Sequence, residues 1–310
     1  MSEKLSIEQQ SLLVYVAMQN LQYDRSALQL SEELGISRFK VGRMIDQARE
    51  LGLVEVVPKI SPLIDLDLSR KLKTAFGLEE ALVVIPATAS DRHAREAIAI
   101  AAAKHLIDYV REGSLLGVGP GRTIIELCNR VNVFPKCDIV QLTGIATKAP
   151  ADSIQSIFKL SSLSQGSMHP LHAPLLATSE EAAKAIISQP IVQEALLRIG
   201  KVDASVLTIG GLPRASLLAD TLSEAGELAE LLAKGAVAEM GTTVIRSDGE
   251  IISDLDSRTI GITTDQLRHV PYRVGLGGGE SKRQAVLATL RTGLMDMIVT
   301  DAHSARLALE

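Results

Sequence analysis

Apolar residues recur with helical spacing through the first part of the chain. Ser6-x-x-Gln9 fits a capping box and predicts a helix with Leu12, Leu13 and Val16 on its buried side. A second helix is predicted over Ser26–Leu34. Gly35 then sits in a short turn, and Ser37 stands at the N-cap position of a third helix. In that third helix Val41, Met44, Ile45 and Ala48 fall at i, i+3, i+4 and i+7, one apolar stripe facing a core. Arg38, Lys40 and Arg43 therefore project away from it. Two short helices joined by a tight glycine turn, the second basic and outward-facing, have the layout of a helix-turn-helix reader of the DNA major groove. Ser37, Arg38, Lys40 and Arg43 are then the candidate DNA contacts. Leu53–Val57 alternates toward a short strand that Pro58 ends, which predicts a winged variant. An ordinary helical pair with a solvated charged face would carry the same pattern.

Beyond Pro58, Leu68, Leu72 and Ala75 are spaced for a helix with Gly77 as its stop, read here as the connection between two domains. From Leu82 the pattern changes. LVVIP, LLGVG, DIVQL, VLTIG, YRVGL and DMIVT are short apolar runs bounded by Gly, Pro or polar residues. Helical stretches separate them: Asp91–Arg111, Thr123–Val131, Ser179–Ser188, Ser223–Lys234 and Glu280–Arg291. Strands buried on both faces and alternating with helices predict a Rossmann-like parallel α/β sheet. TTVIRSDGEIIS departs from this and reads as a hairpin turning at Asp248-Gly249. The predicted organisation is residues 1–57 as a helix-turn-helix domain and 58–310 as an α/β domain.

Composition narrows the partners. The chain has 310 residues, 46% hydrophobic and 22% charged, enough for two domains with ordinary cores. No apolar run reaches membrane-span length and Met1–Asn20 is too polar for a signal peptide, so a cytoplasmic protein without membrane contact is expected. Cys128 and Cys137 lack metal-type spacing and read as reduced, structural residues. Net charge is −5, yet residues 37–49 carry Arg38, Lys40, Arg43 and Arg49 against Asp46 alone. Such a patch neutralises a few phosphates while the acidic remainder discourages non-specific binding. With no Trp, four Phe and four Tyr, base-stacking platforms are scarce, which favours duplex DNA over single strands or RNA.

Ligands of open α/β sheets bind beyond the carboxyl ends of the strands, where helix N-termini offer free N–H groups. Four stretches read as loops of that kind. Gly117-Val118-Gly119-Pro120-Gly121-Arg122-Thr123 combines close backbone approach with a cation and a hydroxyl. Its GxGxG spacing is not that of a dinucleotide fingerprint, and it serves a tight structural turn equally well. Gly275–Lys282 lacks the GK[ST] order of an ATPase loop; Lys282 lies in a first helical turn, where the helix dipole disfavours a bare cation, and this points to a bound anion. Gln141–Lys148 offers Thr143 and Gly144. Gly235–Met240 offers Glu239, suited to sugar hydroxyls or else to an ordinary exposed or ion-paired fate. His169 and His172 belong to no metal pattern, and no GxSxG elbow occurs.

These motifs together resemble the SorC/DeoR family of sugar-responsive transcriptional regulators over nearly the whole chain. LGISRFKVGRMIDQARELGLV is similar to the family's recognition-helix segment. Gly117–Thr123 resembles its GVSWGRT loop, GAVAEM its GAVGDI, and RTIGITTDQL its RVIGxxxxDL. GLGGGESKRQAVLATLRTGLMDMIVTDAHSARLAL is similar to its ending. The resemblance implies an N-terminal DNA-binding domain and a C-terminal effector domain similar in fold to ribose-5-phosphate isomerases and glucosamine-6-phosphate deaminases, without catalysis, cofactor or metal. It implies a phosphorylated sugar whose phosphate falls to Gly119, Gly121, Arg122, Thr123 and Lys282, and whose sugar falls to Glu239 with Thr143 or Gly144. It further implies a homodimer or homotetramer on a palindromic double-stranded operator. The chain departs from the pattern at Gly42, where Ser is usual, at Ala238-Glu239 for Gly-Asp, and at Gly144-Ile145 for Gly-Gly. The rival expectation is a sugar-phosphate isomerase or deaminase with Glu239 as base and an appended helical domain.

Overall fold

The computed structural model describes residues 5–54, 62–88, 90–146 and 150–310. The chain divides into two compact units, Met1–Lys59 and Ile60–Glu310. The first holds α1 (Ile7–Leu21), α2 (Ala27–Leu34) and α3 (Arg38–Glu50). The predicted entry signal at Ser6 is a real reciprocal capping box with Gln9, and the structure adds a second such box, between Ser26 and Gln29, that the sequence reading does not mark. The Ser37 hydroxyl accepts from the Lys40 N–H at the start of α3. Gly35, at φ +64°, closes α2 in the left-handed conformation that glycine adopts without strain.

Leu13, Val16 and Ala17 of α1, Leu30 of α2, and Val41, Met44, Ile45 and Ala48 of α3 form one buried cluster. At roughly 1.5–3 kcal/mol per fully buried large aliphatic side chain, this stripe holds the three helices together. The predicted inward placement of Leu12 is corrected: it is 44% exposed, one position off the i, i+3, i+4 row that Leu13, Val16 and Ala17 occupy. The predicted wing falls largely on residues 55–58, outside the described residues.

The second unit runs β1 (Leu63–Ile64), α4 (Leu66–Phe76), β2 (Glu80–Ile85), α5 (Asp91–Tyr109), β3 (Leu115–Val118), α6 (Arg122–Arg130), β4 (Asp138–Gln141), α7 (Pro150–Ser164) and β5 (Met168–His169). It continues with α8 (Glu180–Ile187), α9 (Pro190–Ile199), β6 (Ala204–Gly211), α10 (Leu217–Ala225), α11 (Leu228–Ala233), β7 (Ala236–Met240), β8 (Thr243–Arg246) and β9 (Ile251–Ile252). The last elements are α12 (Thr264–His269), β10 (Arg273–Leu276), α13 (Arg283–Arg291), β11 (Met297–Asp301) and α14 (Ala302–Leu309), with a short 3-10 turn at Glu280–Lys282 before α13.

All six apolar runs are strands of one sheet in the order β1-β2-β11-β10-β6-β3-β4-β5. From β2 to β5 every pairing is parallel, and β1 is an antiparallel edge. Strand residues alternate between two cores. Val206, Val274, Met297 and Val299 pack with the Ala-rich face of α5, α6 and α7, whereas Leu207, Ile209 and Ile298 pack with α4, α9, α13 and α14. Cys128 and Cys137 lie in the first of these cores.

Three sequence expectations are corrected here. The helix around Leu68 and Leu72 is no connector: both side chains are buried against β2 and α14, because an amphipathic stripe that close to a sheet finds its partner there, and Ala75 is exposed. The predicted helix over 223–234 is two, since Gly226 at φ +75° stops α10. Gly235–Met240 is not a loop. Ala236–Met240 is β7, antiparallel to the end of β6; it pairs with β8, and β8 and β9 form the predicted hairpin, so the three make a branch of the main sheet.

Candidate functional site

The sheet puts β6 between β3 and β10, and the chain leaves these neighbours toward opposite edges. A crevice opens at the carboxyl ends of strands at such a reversal point. There the structure has a cavity of about 290 Å³. Its walls are the first turns of α5 (Asp91, Arg95, Ile98) and of α6 with its preceding loop (Gly121, Arg122, Thr123), then Thr208 and Gly210 of β6. The β6–α10 connection (Arg214 to Leu217, with Asp220), Glu239 of β7 and the β10–α13 loop (Gly278, Ser281, Lys282) complete them. Four cations face three carboxylates, so the cavity is polar and slightly positive.

Glycines make the close packing possible at two places. Gly121 has φ +155°, and a Cβ there would stand 2.7 Å from Thr208 Oγ1. It offers no side chain to cap α6, which leaves the first N–H groups of that helix for a ligand. At Gly210, opposite Glu239 across the β6–β7 pair, a Cβ would collide with Glu239 Oε1.

Glu239 is 8% exposed, and burial pushes its carboxyl up to about 7 against the opposing Ser216 hydrogen bond and Lys282 charge. Burial brings the Lys282 ammonium down to about 8; the Glu239 charge opposes the fall, while Arg122 and Arg95 deepen it. Lys282 Nζ donates to the Ile209 carbonyl at 2.7 Å, which anchors the ammonium at the end of β6. Around Asp91, burial disfavours the carboxylate, but hydrogen bonds from Ser281 and Glu280 and the charge of Lys282 outweigh it and lower the pKa. Asp301, 2% exposed, accepts from Gly279 N–H and from Ser304 Oγ with one oxygen, and from the His303 and Ser304 N–H groups with the other. It ties the glycine loop of Lys282 to the start of α14.

The cavity thus brings together Gly121, Arg122, Thr123, Glu239 and Lys282. Gly119 and Thr143 lie beside it, in a smaller pocket that shares Thr208 and Glu239 with the large one. Gly144 lines neither. A Cβ there would collide with the Pro174 carbonyl, so its glycine makes room for a neighbouring chain segment. Lys148 lies outside the described residues. His169 is half-buried beside Asp138, and His172 is exposed.

Asp91, Arg95, Arg214, Ser216 and Asp220 were not singled out from the sequence. Asp91, Arg95 and Ile98 fall at i, i+4 and i+7, so an ion-capable pair continues an otherwise buried Ala-rich face, and this was a usable signal. Arg214 lies four residues beyond the strand run VLTIG, in the same kind of strand-end loop as the other candidates. In the N-terminal unit Ser37, Arg38, Lys40 and Arg43 are all exposed, and the Arg38 guanidinium lies 5.1 Å from the Phe39 ring centre, with Phe39 71% exposed. Among the described residues no helix is long and apolar enough to cross a membrane.

Comparison with known proteins places these features in a family. Residues 62–310 match the family model described as "Putative sugar-binding domain". The transcriptional regulator LsrR of Enterobacter sp. (strain 638) is 29% identical over 285 residues, 90% of this chain and 87% of that protein. LsrR of Escherichia coli (strain K12) is 24% identical over 284 residues, 89% of this chain and 87% of the relative. Among solved structures, the full-length sorbitol operon regulator SorC from Klebsiella pneumoniae shares the fold at TM-score 0.72 and 20% identity, covering 98% of this chain and 100% of that one. A DeoR family transcriptional regulator from Listeria monocytogenes matches at TM-score 0.68 and 27% identity, over 78% of this chain and 98% of that one. The chain belongs to the sugar-binding domain family, and the SorC/DeoR resemblance of its motifs stands.

Proposed function

We propose that this protein is a DNA-binding transcriptional regulator whose operator affinity is set by a phosphorylated sugar held in the cavity. The observation that carries the reading is the cavity's division of labour. At one wall the uncapped start of α6, Arg122 and Lys282 suit a phosphate; at another Glu239, hydrogen-bonded to Ser216, suits sugar hydroxyls. Gly119, Gly121, Thr123 and Thr143 complete the effector site in this reading. Ser37, Arg38, Lys40 and Arg43 contact duplex DNA, and residues 1–57 and 58–310 divide the two tasks.

Such a protein works in the cytoplasm as a homodimer or homotetramer on a palindromic operator, because half-sites at fixed helical spacing need paired recognition helices. The effector acts by differential affinity for states that present those helices at different separations. Catalysis, cofactor and metal have no part in this reading. The names of the LsrR, SorC and DeoR relatives support regulation. Fluorescence anisotropy with the DNA upstream of the protein's own gene, titrated at two salt concentrations with and without pentose and hexose phosphates, tests it. Salt-sensitive binding that one sugar phosphate shifts is expected. Turnover of a sugar phosphate without any DNA affinity would overturn it in favour of an isomerase or deaminase, with Glu239 as base near neutral pH.

A further inference from the structure

The smaller pocket beside the main cavity has its own chemistry. It encloses about 30 Å³ between Gly119, Thr143, Leu175 and Gly241, and shares Thr208, Leu217 and Glu239 with the lining of the large cavity. Thr143 is 1% exposed, and among the described residues its hydroxyl has no hydrogen-bond partner. Lack of order does not explain this. Gln141 Nε2 donates to the Thr143 carbonyl at 2.7 Å, the next N–H, of Gly144, donates to the Ile260 carbonyl at 2.8 Å, and Thr143 forms an antiparallel bridge with Gly261. A buried, fixed hydroxyl without a partner costs about 1–3 kcal/mol, which an occupant supplying the missing bond would remove. Thr208 differs in that its hydroxyl already donates to the Pro120 carbonyl at 3.2 Å, which leaves it only acceptor capacity.

Size and charge limit the occupant. A water needs roughly 10–15 Å³ of such space, so the pocket takes about two non-hydrogen atoms, the size of a hydroxymethyl group. A phosphoryl group is larger, and its charge would lie against the Glu239 carboxylate in a wall that holds no cation among the described residues.

We propose that this side pocket receives the terminal hydroxymethyl group of a ketose monophosphate, hydrogen-bonded by Thr143 and Glu239, and so selects monophosphates against bisphosphates. The proposal rests on reading the main cavity as a sugar-phosphate site, whose cations then take the phosphate at the other end of the ligand.

Isothermal titration of the full chain tests this with fructose 6-phosphate, tagatose 6-phosphate and ribulose 5-phosphate against fructose 1,6-, tagatose 1,6- and ribulose 1,5-bisphosphate. The best monophosphate is expected to bind at least about tenfold more tightly than its own bisphosphate, given the cost of like charges in contact. Thr143→Val removes the hydroxyl but keeps the shape, and it should weaken the monophosphate about three- to tenfold while leaving the melting temperature equal or higher. Thr143→Ser, which keeps the hydroxyl, should bind as the wild type does. A bisphosphate that binds as tightly as the monophosphate overturns the proposal. So does a Thr143→Val variant with unchanged affinity, or a Thr143→Ser variant as weak as Thr143→Val. Silence of the wild type toward all six ligands and toward inorganic phosphate overturns the sugar-phosphate reading itself, and this proposal with it.

Discussion

The basic face of α3 and the cavity at the end of β6 are built in opposite ways. Arg38, Lys40 and Arg43 are presented by one helix, on the side left over once Val41, Met44, Ile45 and Ala48 are buried. The cavity instead draws Asp91, Arg122, Arg214, Glu239 and Lys282 from five separate stretches of chain, joined only by the order of the sheet. A surface of the first kind tolerates change nearly residue by residue. A site of the second kind is coupled: Lys282 shifts Glu239, Arg122 and Arg95 shift Lys282, and Asp91 is stabilised through the turn that holds Lys282. The two should therefore fail differently when mutated.

The largest effects come from exchanging damage between the two regions. Lys282→Ala should weaken a bound sugar phosphate about 10- to 100-fold, the worth of a charge-assisted hydrogen bond in a desolvated site, with operator affinity of the effector-free protein unchanged. Arg43→Ala should weaken operator binding by about 1–3 kcal/mol if it reads a base, or lower the salt slope by about one if it meets a phosphate. Effector affinity by calorimetry should not move. Loss of both activities in either variant, with the melting temperature intact, would break the comparison.

This contrast also governs how far the sequence could be read. The three N-terminal helices were legible nearly to the residue, because the caps at Ser6 and Ser37, the Gly35 turn and a single apolar stripe are local signals. The six apolar strands of the main sheet were legible because each run is short and punctuated, whereas β7, with Glu239 in it, read as a loop. Gly121, Arg122 and Lys282 stood out because glycines between a strand and a helix let the backbone approach an anion, with a cation beside them. Arg214 and the Asp91–Arg95 pair did not, because nothing local says that the start of α5 and the end of β6 converge. Gly144 shows the reverse ambiguity. A glycine that clears space for the Pro174 carbonyl reads the same in sequence as one that admits a ligand.

A smaller effect sharpens the idea of a coupled site. The folded-state pKa of Glu239, about 7, lies above its ordinary 4.5. The raised value means that its burial costs little below about pH 4.5, and that stability falls as pH climbs toward 7 and the carboxylate ionises. Glu239→Gln removes that ionisation. By differential scanning fluorimetry it should melt about 2–6 °C above the wild type at pH 8 and level with it at pH 4.5. Sugar-phosphate affinity should drop at the same time, since an amide loses one strong acceptor. A lower melting temperature at pH 8 would mean that Lys282 needs the Glu239 charge more than the cavity is hurt by burying it.

The smallest effect concerns the exposed face. Gly42 sits inside α3 with no atom within 4 Å of where a Cβ would stand, and its φ is not in the left-handed region. An interior helical glycine costs about 0.8–1 kcal/mol relative to alanine through backbone entropy, so Gly42→Ala should stabilise the N-terminal unit by that amount. If the face is the additive surface described above, operator affinity stays within about twofold, because Arg38, Lys40 and Arg43 keep their places on a stiffer helix. If the variant gains stability and still loses operator binding, the empty space over Gly42 is filled by DNA in the complex. The glycine would then be there for close approach to the duplex, and the surface would have a shape requirement in addition to its charges.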